Sequence, residues 1–86
     1  MPEVSRFYGI VIQIFFRDHE PPHFHAKCGS HDAVIDIEGL AINRGDLPRT
    51  ARRLVLEWAA LHRDELLAAW KRARRGEAPG RIPPLD

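Results

Sequence analysis

The segment HFHAKCGSHDAVIDIE, residues 23–38, carries two runs in which apolar and polar residues alternate, joined by the turn-forming residues GSHD. Successive side chains of a strand point to opposite faces, so each run places its apolar residues on one face and its polar residues on the other. The pattern predicts a β-hairpin with one apolar face, and the rest of the fold must cover that face.

The polar face of this hairpin is the candidate functional site. A GSHD turn that pairs Gly29 with Asp32 places a carboxylate opposite each histidine, and directly opposed side chains are near enough to interact. Two further polar residues lie at the mouth of the hairpin, before the turn at Pro21 and Pro22. The predicted cluster comprises Asp18, His19, His23 (opposite Glu38), His25 (opposite Asp36), Asp36 and Glu38.

Three interpretations of the cluster stay open at this point, and with them the question whether the protein is an enzyme. A metal-binding hydrolase or nuclease would hold a divalent transition metal with neutral imidazoles and carboxylates, and the candidate ligands are His19, His23, His25, Asp36 and Glu38. A metal-free acid–base site would hold a histidine with a carboxylate, and its catalytic candidates are His23, His25, Asp18 and Asp36. In the third interpretation the histidines only stack and pair with acids across the strands.

The residues on both sides of the hairpin extend it into a sheet. YGIVIQIFF is rich in β-branched and aromatic residues and predicts a strand from about Gly9 to Phe16. After the hairpin, Gly39 turns the chain into a short strand at residues 40–43. The sequence therefore predicts a mainly antiparallel meander of about four strands over residues 9–43.

Helical periodicity begins at Pro48, a residue suited to the first helical position, and Gly76 is a natural stop after Arg75. On this predicted helix, residues 48–75, several apolar residues, including Leu61, share one face, but Trp70 falls beside the opposite, basic face. A break near HRDE, residues 62–65, would shift the phase of the apolar stripe, and we favour it over a continuous helix with an apolar partner surface. The predicted class is α+β, with a long or kinked helix across one sheet face and a proline-rich tail, residues 76–86, along the surface.

The exposed helical face is basic and is a candidate surface for an acidic protein partner, RNA or DNA. The chain has a net charge of −3 up to Asn43 and of +4 from Arg44 onward. The bare face of a small sheet also suits a homodimer contact. The candidate binding residues are Arg49, Arg52, Arg53, Arg63, Trp70 and Lys71.

Length and composition set the remaining limits. The 86 residues, 44% of them hydrophobic, predict one domain, residues 1–86, with a modest core. Cys28 is the single cysteine, which excludes an internal disulfide and fits a reducing compartment. The chain shows no signal peptide pattern and no apolar run of bilayer length, so we expect a cytoplasmic protein without membrane partners.

The chain also resembles a family of small bacterial proteins known as domain of unknown function number 4160. The pattern D-H-x-P-P-H-F-H matches from Asp18 through His25, and W-A-x-x-H-R-x-E-L matches from Trp58 to Leu66. The resemblance implies one half of a two-gene, toxin–antitoxin-like module. In such a module this chain would be the candidate toxin or its binding mate, with a small protein encoded nearby as partner. The resemblance carries over no catalytic residue.

Overall fold

The computed structural model describes residues 2–86, and within this range the chain forms a five-stranded sheet followed by two helices. The elements are β1 (Glu3–Phe7), β2 (Ile10–Gln13), β3 (His23–Cys28), β4 (His31–Asp36), β5 (Ile42–Gly45), α1 (Arg49–Leu61) and α2 (Arg63–Arg74). Neighbouring strands pair antiparallel in chain order, so the sheet is a meander. The predicted α+β class is confirmed, with five strands in place of the predicted four.

The additional strand is β1, and it corrects the prediction of one strand from Gly9 to Phe16. The chain reverses at Tyr8 and Gly9, whose φ angles are 49° and 76°. Two successive residues with positive φ form the tight hairpin turn whose twist suits antiparallel strands. Strand β2 ends at Gln13, so Phe16, the last residue of the predicted strand, lies beyond β2 and is 48% exposed.

The central hairpin forms as predicted, but its register is wrong by two positions. A two-residue turn, Gly29–Ser30, joins the strands, so His23 pairs with Asp36 and His25 pairs with Val34. Two-residue loops are the commonest hairpin connection, and a glycine readily supplies the positive φ that they need. A shift of two positions leaves every side chain on its predicted face, because side chains alternate with a period of two.

The two helices cover the apolar face of the sheet, and Trp58 of α1 lies at the centre of the contact. Its ring packs against Phe7, with ring centroids 5.3 Å apart, and edge-on against Phe24 at 5.9 Å. Small side chains occupy several of the buried helical positions, which lets the helices approach the strands closely. These small residues are Ala51, Ala59, Ala69 and Ala73. Neither helix in residues 2–86 has the length and apolar composition needed to span a bilayer.

The predicted helix break lies at His62, which separates α1 from α2 as a single non-helical residue. Its Nδ1 lies 2.5 Å from Glu65 Oε1, and two acidic residues, Asp64 and Glu65, lie in the first turn of α2. Negative charge there interacts favourably with the positive end of the helix dipole.

The predicted reason for this break is wrong, because the buried stripe continues through it without a change of phase. The buried stripe runs through Val55, Trp58, Leu66 and Ala69, and the half-buried His62 lies between Trp58 and Leu66. Successive members of this series are three or four residues apart. Trp70 therefore lies on the buried face and is 2% exposed. Leu61, predicted on that face, is 69% exposed instead.

The carboxyl-terminal tail is part of the packed structure and does more than extend along the surface. Ile82 is buried, and its amide donates to the Val4 carbonyl at 2.8 Å, next to the outer edge of β1. The Trp58 indole Nε1 donates to the Pro83 carbonyl, also at 2.8 Å. Arg81 pairs with Glu3 at 3.0 Å, so the tail is held by both apolar and charged contacts.

We expect Ile82→Ala to lower the free energy of unfolding by about 2–4 kcal/mol, the usual cost of truncating a buried isoleucine. Ile82 is 4% exposed and belongs to the core cluster, so its side chain leaves a cavity when removed. Urea denaturation followed by tryptophan fluorescence measures the change. Leu61→Ala truncates an exposed side chain and should shift stability by no more than about 0.5 kcal/mol. Equal, small effects of the two substitutions would contradict a structural role for the tail.

Candidate metal centre

The segment that joins β2 to β3 carries Asp18 to the beginning of β3, and α2 holds this segment in place. Arg17 has a φ of 52°, uncommon for a residue other than glycine, and its amide donates to the Ala73 carbonyl at 3.0 Å. The guanidinium of Arg74 donates to the Asp18 carbonyl. The last turn of α2 thus determines the position of the Asp18 backbone.

Asp18, His23 and His25 bring one candidate ligand atom each close together. Asp18 Oδ2 lies 2.8 Å from His23 Nε2 and 3.4 Å from His25 Nε2, and the three atoms lie within 4.8 Å of one another. Two ligand atoms bound at about 2.1 Å lie about 3.0 Å apart at a right angle and about 3.4 Å apart at a tetrahedral angle. The two measured separations therefore fit neighbouring ligands of a single ion.

His23 is held in one orientation from both sides. Its Nδ1 lies 2.8 Å from the Pro21 carbonyl oxygen, which can accept but not donate, so Nδ1 carries a proton. Its ring packs against Trp70, with centroids 4.9 Å apart. A bound cation would take the place of the hydrogen bond between Nε2 and Asp18.

Burial and hydrogen bonding prepare the other two side chains as ligands. Burial lowers the pKa of His25, against the opposing effect of its bond to Asp18, and so favours the neutral imidazole. Burial acts to raise the pKa of Asp18, but hydrogen bonds from the His19 amide and from His23 and His25 outweigh it and lower the pKa. The Phe15 ring packs against His25 at a centroid distance of 4.1 Å.

The three ligand atoms border a cavity of about 120 Å³ on the polar side of the sheet. This volume admits an ion with several water molecules or a small substrate group, because one water molecule needs only about 10–15 Å³ of such space. The residues that line it are Asp18, His19, Pro21, His23, His25, Val34, Asn43 and Arg44.

Three of the predicted site residues lie outside this group of ligand atoms. Asp36 is opposite His23, but its carboxylate accepts a hydrogen bond from Asn43 at 3.2 Å. Glu38 lies in the exposed turn after β4, because the register that would bring it opposite His23 does not form. His19 is at the rim, with an 86% exposed side chain whose Nε2 is 3.8 Å from Asp18 Oδ1.

The predicted binding residues of the helices divide into separate groups. Arg49, Arg52 and Arg53 surround a shallow groove on α1 together with Thr50 and Leu56. Arg63 and Lys71 are exposed on α2. The prediction that Trp70 contributes to a binding surface is wrong, because Trp70 is buried against His23 and supports the cluster from the core side.

Sequence reasoning missed two polar residues of the cavity wall, Asn43 and Arg44. The predicted final strand covers residues 40–43, whereas β5 spans Ile42–Gly45. Their positions depend on how β5 pairs with β4, and no local pattern in the sequence specifies that pairing.

The fold and the cluster together define a small α+β protein with a candidate two-histidine, one-carboxylate centre. The chain belongs to the family described as "Domain of unknown function (DUF4160)", which it matches over residues 9–71. The match begins just before β2, ends within α2 and includes all three ligand residues. No curated protein and no solved structure matches the chain significantly.

We expect Asp18→Asn to lower the free energy of unfolding of the metal-free protein by about 1–3 kcal/mol at pH 7, because His23 loses a charged acceptor. The pKa of Asp18 is lower in the folded chain than in the unfolded chain. Its stabilising contribution is therefore complete above the unfolded pKa and is lost as the pH falls through the folded pKa. The difference between the variant and the parent protein should shrink below about pH 4.

Urea denaturation in EDTA between pH 7 and pH 3 measures this difference. Glu38→Gln is the control, since it neutralises an exposed carboxylate outside the cluster, and it should leave stability unchanged. A difference for Asp18→Asn that stays constant down to pH 3 would contradict the assignment of the effect to the ionised carboxylate.

Proposed function

We propose that this protein binds a divalent transition metal ion through Asp18 Oδ2, His23 Nε2 and His25 Nε2, and that the centre catalyses hydrolysis. The observation that carries the proposal is the convergence of these three ligand atoms beside an open cavity. Two imidazoles and one carboxylate form a donor set suited to catalytic zinc and to iron(II).

The support for each ligand is independent of any metal, which favours a prepared site over an accidental meeting of side chains. His23 is held by the Pro21 carbonyl and by Trp70. The other oxygen of Asp18, Oδ1, accepts the His19 amide at 2.9 Å, so Oδ2 is left for the cation. Ligands that are oriented in this way by their surroundings are typical of functional metal centres.

Three protein ligands leave further coordination positions toward the cavity. A cation in such a site supplies Lewis acidity, which lowers the pKa of a bound water and polarises a substrate oxygen. His19 at the rim is exposed to solvent, and its Nε2 lies close to the cluster, so it suits the exchange of protons with a substrate.

We expect tag-free protein to bind about one zinc ion per chain, and we expect His25→Ala to weaken binding by at least about 10–100-fold, the loss typical even of supporting residues. His19→Ala should change the affinity only a few-fold, because His19 lies outside the group of ligand atoms. His31→Ala, which removes an exposed histidine of β4, should leave binding unchanged. Calorimetric titration and elemental analysis measure the affinity and the stoichiometry.

Hydrolysis is measured separately with bis(p-nitrophenyl) phosphate and the zinc-loaded protein. Turnover that is lost in His25→Ala and kept in His31→Ala would support the proposal. Protein that takes up no zinc, or that loses zinc equally in both variants, would overturn the metal site. Zinc binding without turnover would leave the metal site standing and remove hydrolysis.

We also propose that α1 docks an acidic segment of a protein partner encoded nearby, as expected for a two-gene, toxin–antitoxin-like module. The supporting observation is the groove that Arg49, Arg52 and Arg53 surround with Leu56. Two of these arginines form only long, exposed ion pairs, Arg52 with Asp46 at 3.9 Å and Arg53 with Glu57 at 3.8 Å. Such pairs contribute little to stability, so the guanidiniums are free to bind a partner's carboxylates.

We expect expression of this chain alone to slow growth and co-expression of the neighbouring protein to relieve it. Replacing Arg49, Arg52 and Arg53 with glutamine should abolish co-purification with the partner, because the basic groove loses its charge. Arg63→Gln combined with Lys71→Gln removes charge from α2 and is the control, which should still bind. Harmless expression at high level would count against the toxin role, and equal loss of binding by both variants would refute the α1 surface.

A further inference from the structure

A β-bulge in β5 turns two adjacent side chains toward the candidate metal centre. Val34 pairs with Arg44 and Ile35 pairs with Ile42, so Asn43 is an extra residue in the ladder. In a regular strand Asn43 and Arg44 would point to opposite faces, whereas both line the cavity here. Bulges often re-aim side chains beside active sites, and this one adds an amide and a cation to the cavity wall.

Arg44 occupies the same row of the sheet as His25. His25 pairs with Val34, which in turn pairs with Arg44, so the three side chains stand on one sheet face in successive strands. Strands lie about 4.8 Å apart, which separates the backbones of His25 and Arg44 by about 10 Å. An extended arginine side chain is long enough to span much of this distance, and Val34 and Arg44 both line the cavity.

The charge of Arg44 is uncompensated by neighbouring acids. Among residues 2–86 it takes part in no ion pair, although ten other arginine or histidine side chains do. Asn43, in contrast, is anchored, since its Nδ2 donates to Asp36 Oδ1 at 3.2 Å. Asp36 is therefore a positioning residue for the bulge.

We propose that Arg44 binds the phosphate group of an anionic substrate whose other oxygen faces the metal ion, so that the substrate class is phosphate esters. This inference rests on the proposed metal site. A divalent ion, one carboxylate and one guanidinium would give the cavity a net positive charge, which favours an anion. The planar guanidinium offers paired N–H donors that match two phosphate oxygens.

The test titrates Mn²⁺-loaded protein with inorganic phosphate. The measured quantity is the broadening of the ³¹P resonance, which reports phosphate close to the ion. We expect Arg44→Gln to weaken phosphate binding at least 10-fold. Arg44→Lys should weaken it less, because lysine keeps the positive charge but lacks the paired N–H donors of the guanidinium. The affinity for Mn²⁺ should change less than twofold in both variants. Lys27→Gln is the matched control, since it removes an exposed cation of β3 outside the cavity.

Two further arms use phenyl phosphate and a dinucleotide to distinguish monoesters from phosphodiesters. If the parent protein binds one of these two compounds more tightly, and Arg44→Gln loses that preference, the compound identifies the class of phosphate ester that the site takes. Equal phosphate affinities of the parent protein and Arg44→Gln would overturn the inference. A protein that binds neither Mn²⁺ nor zinc would overturn the proposed function, and titration of phosphate in EDTA would then still decide whether Arg44 binds the anion.

Discussion

The burial of the His23 ring is the constraint on which the rest of the structure depends. A buried imidazole needs a partner for each nitrogen, and both partners come from the segment that precedes β3. Pro21 supplies a carbonyl oxygen and Asp18 a carboxylate. The ring also packs against Trp70, so one side chain joins the candidate site to the hydrophobic core.

This arrangement couples the position of α2 to the chemistry of the polar sheet face. The last turn of α2 binds the backbone at Arg17 and Asp18, while Trp70, one turn earlier, packs against His23. A displacement of α2 would therefore move both the carboxylate and one imidazole. The small size of the chain makes such coupling expected, because a short chain buries little surface and recruits even its tail, through Ile82, into the core.

The polar face and the helical surface divide the charged residues between two tasks. Asp18, an acid of the first half, meets His23 and His25 on the polar face, and burial and hydrogen bonds lower the pKa values of Asp18 and His25. The arginines of α1 form an exposed groove on another part of the chain. Arg44 is the basic residue of the second half that the β5 bulge brings to the cavity. The change in net charge along the sequence thus becomes a spatial arrangement, with one cation assigned to the candidate site.

The sequence by itself determined which face each residue of the central hairpin occupies and where the helical region begins and ends. These properties follow from local periodicity and local stop signals, and they survive a register error of two because alternation is unchanged. The partners of His23 and His25 were decided only by the tertiary structure. Three features depend on turn length, on a bulge and on contacts between residues more than fifty positions apart, such as Arg17 with Ala73. They are the pairing of the histidines with Asp18 in place of Asp36, the burial of Trp70 and the presence of Arg44 in the cavity wall. No single segment encodes such contacts, because their free energy arises only when the sheet and the helices pack together.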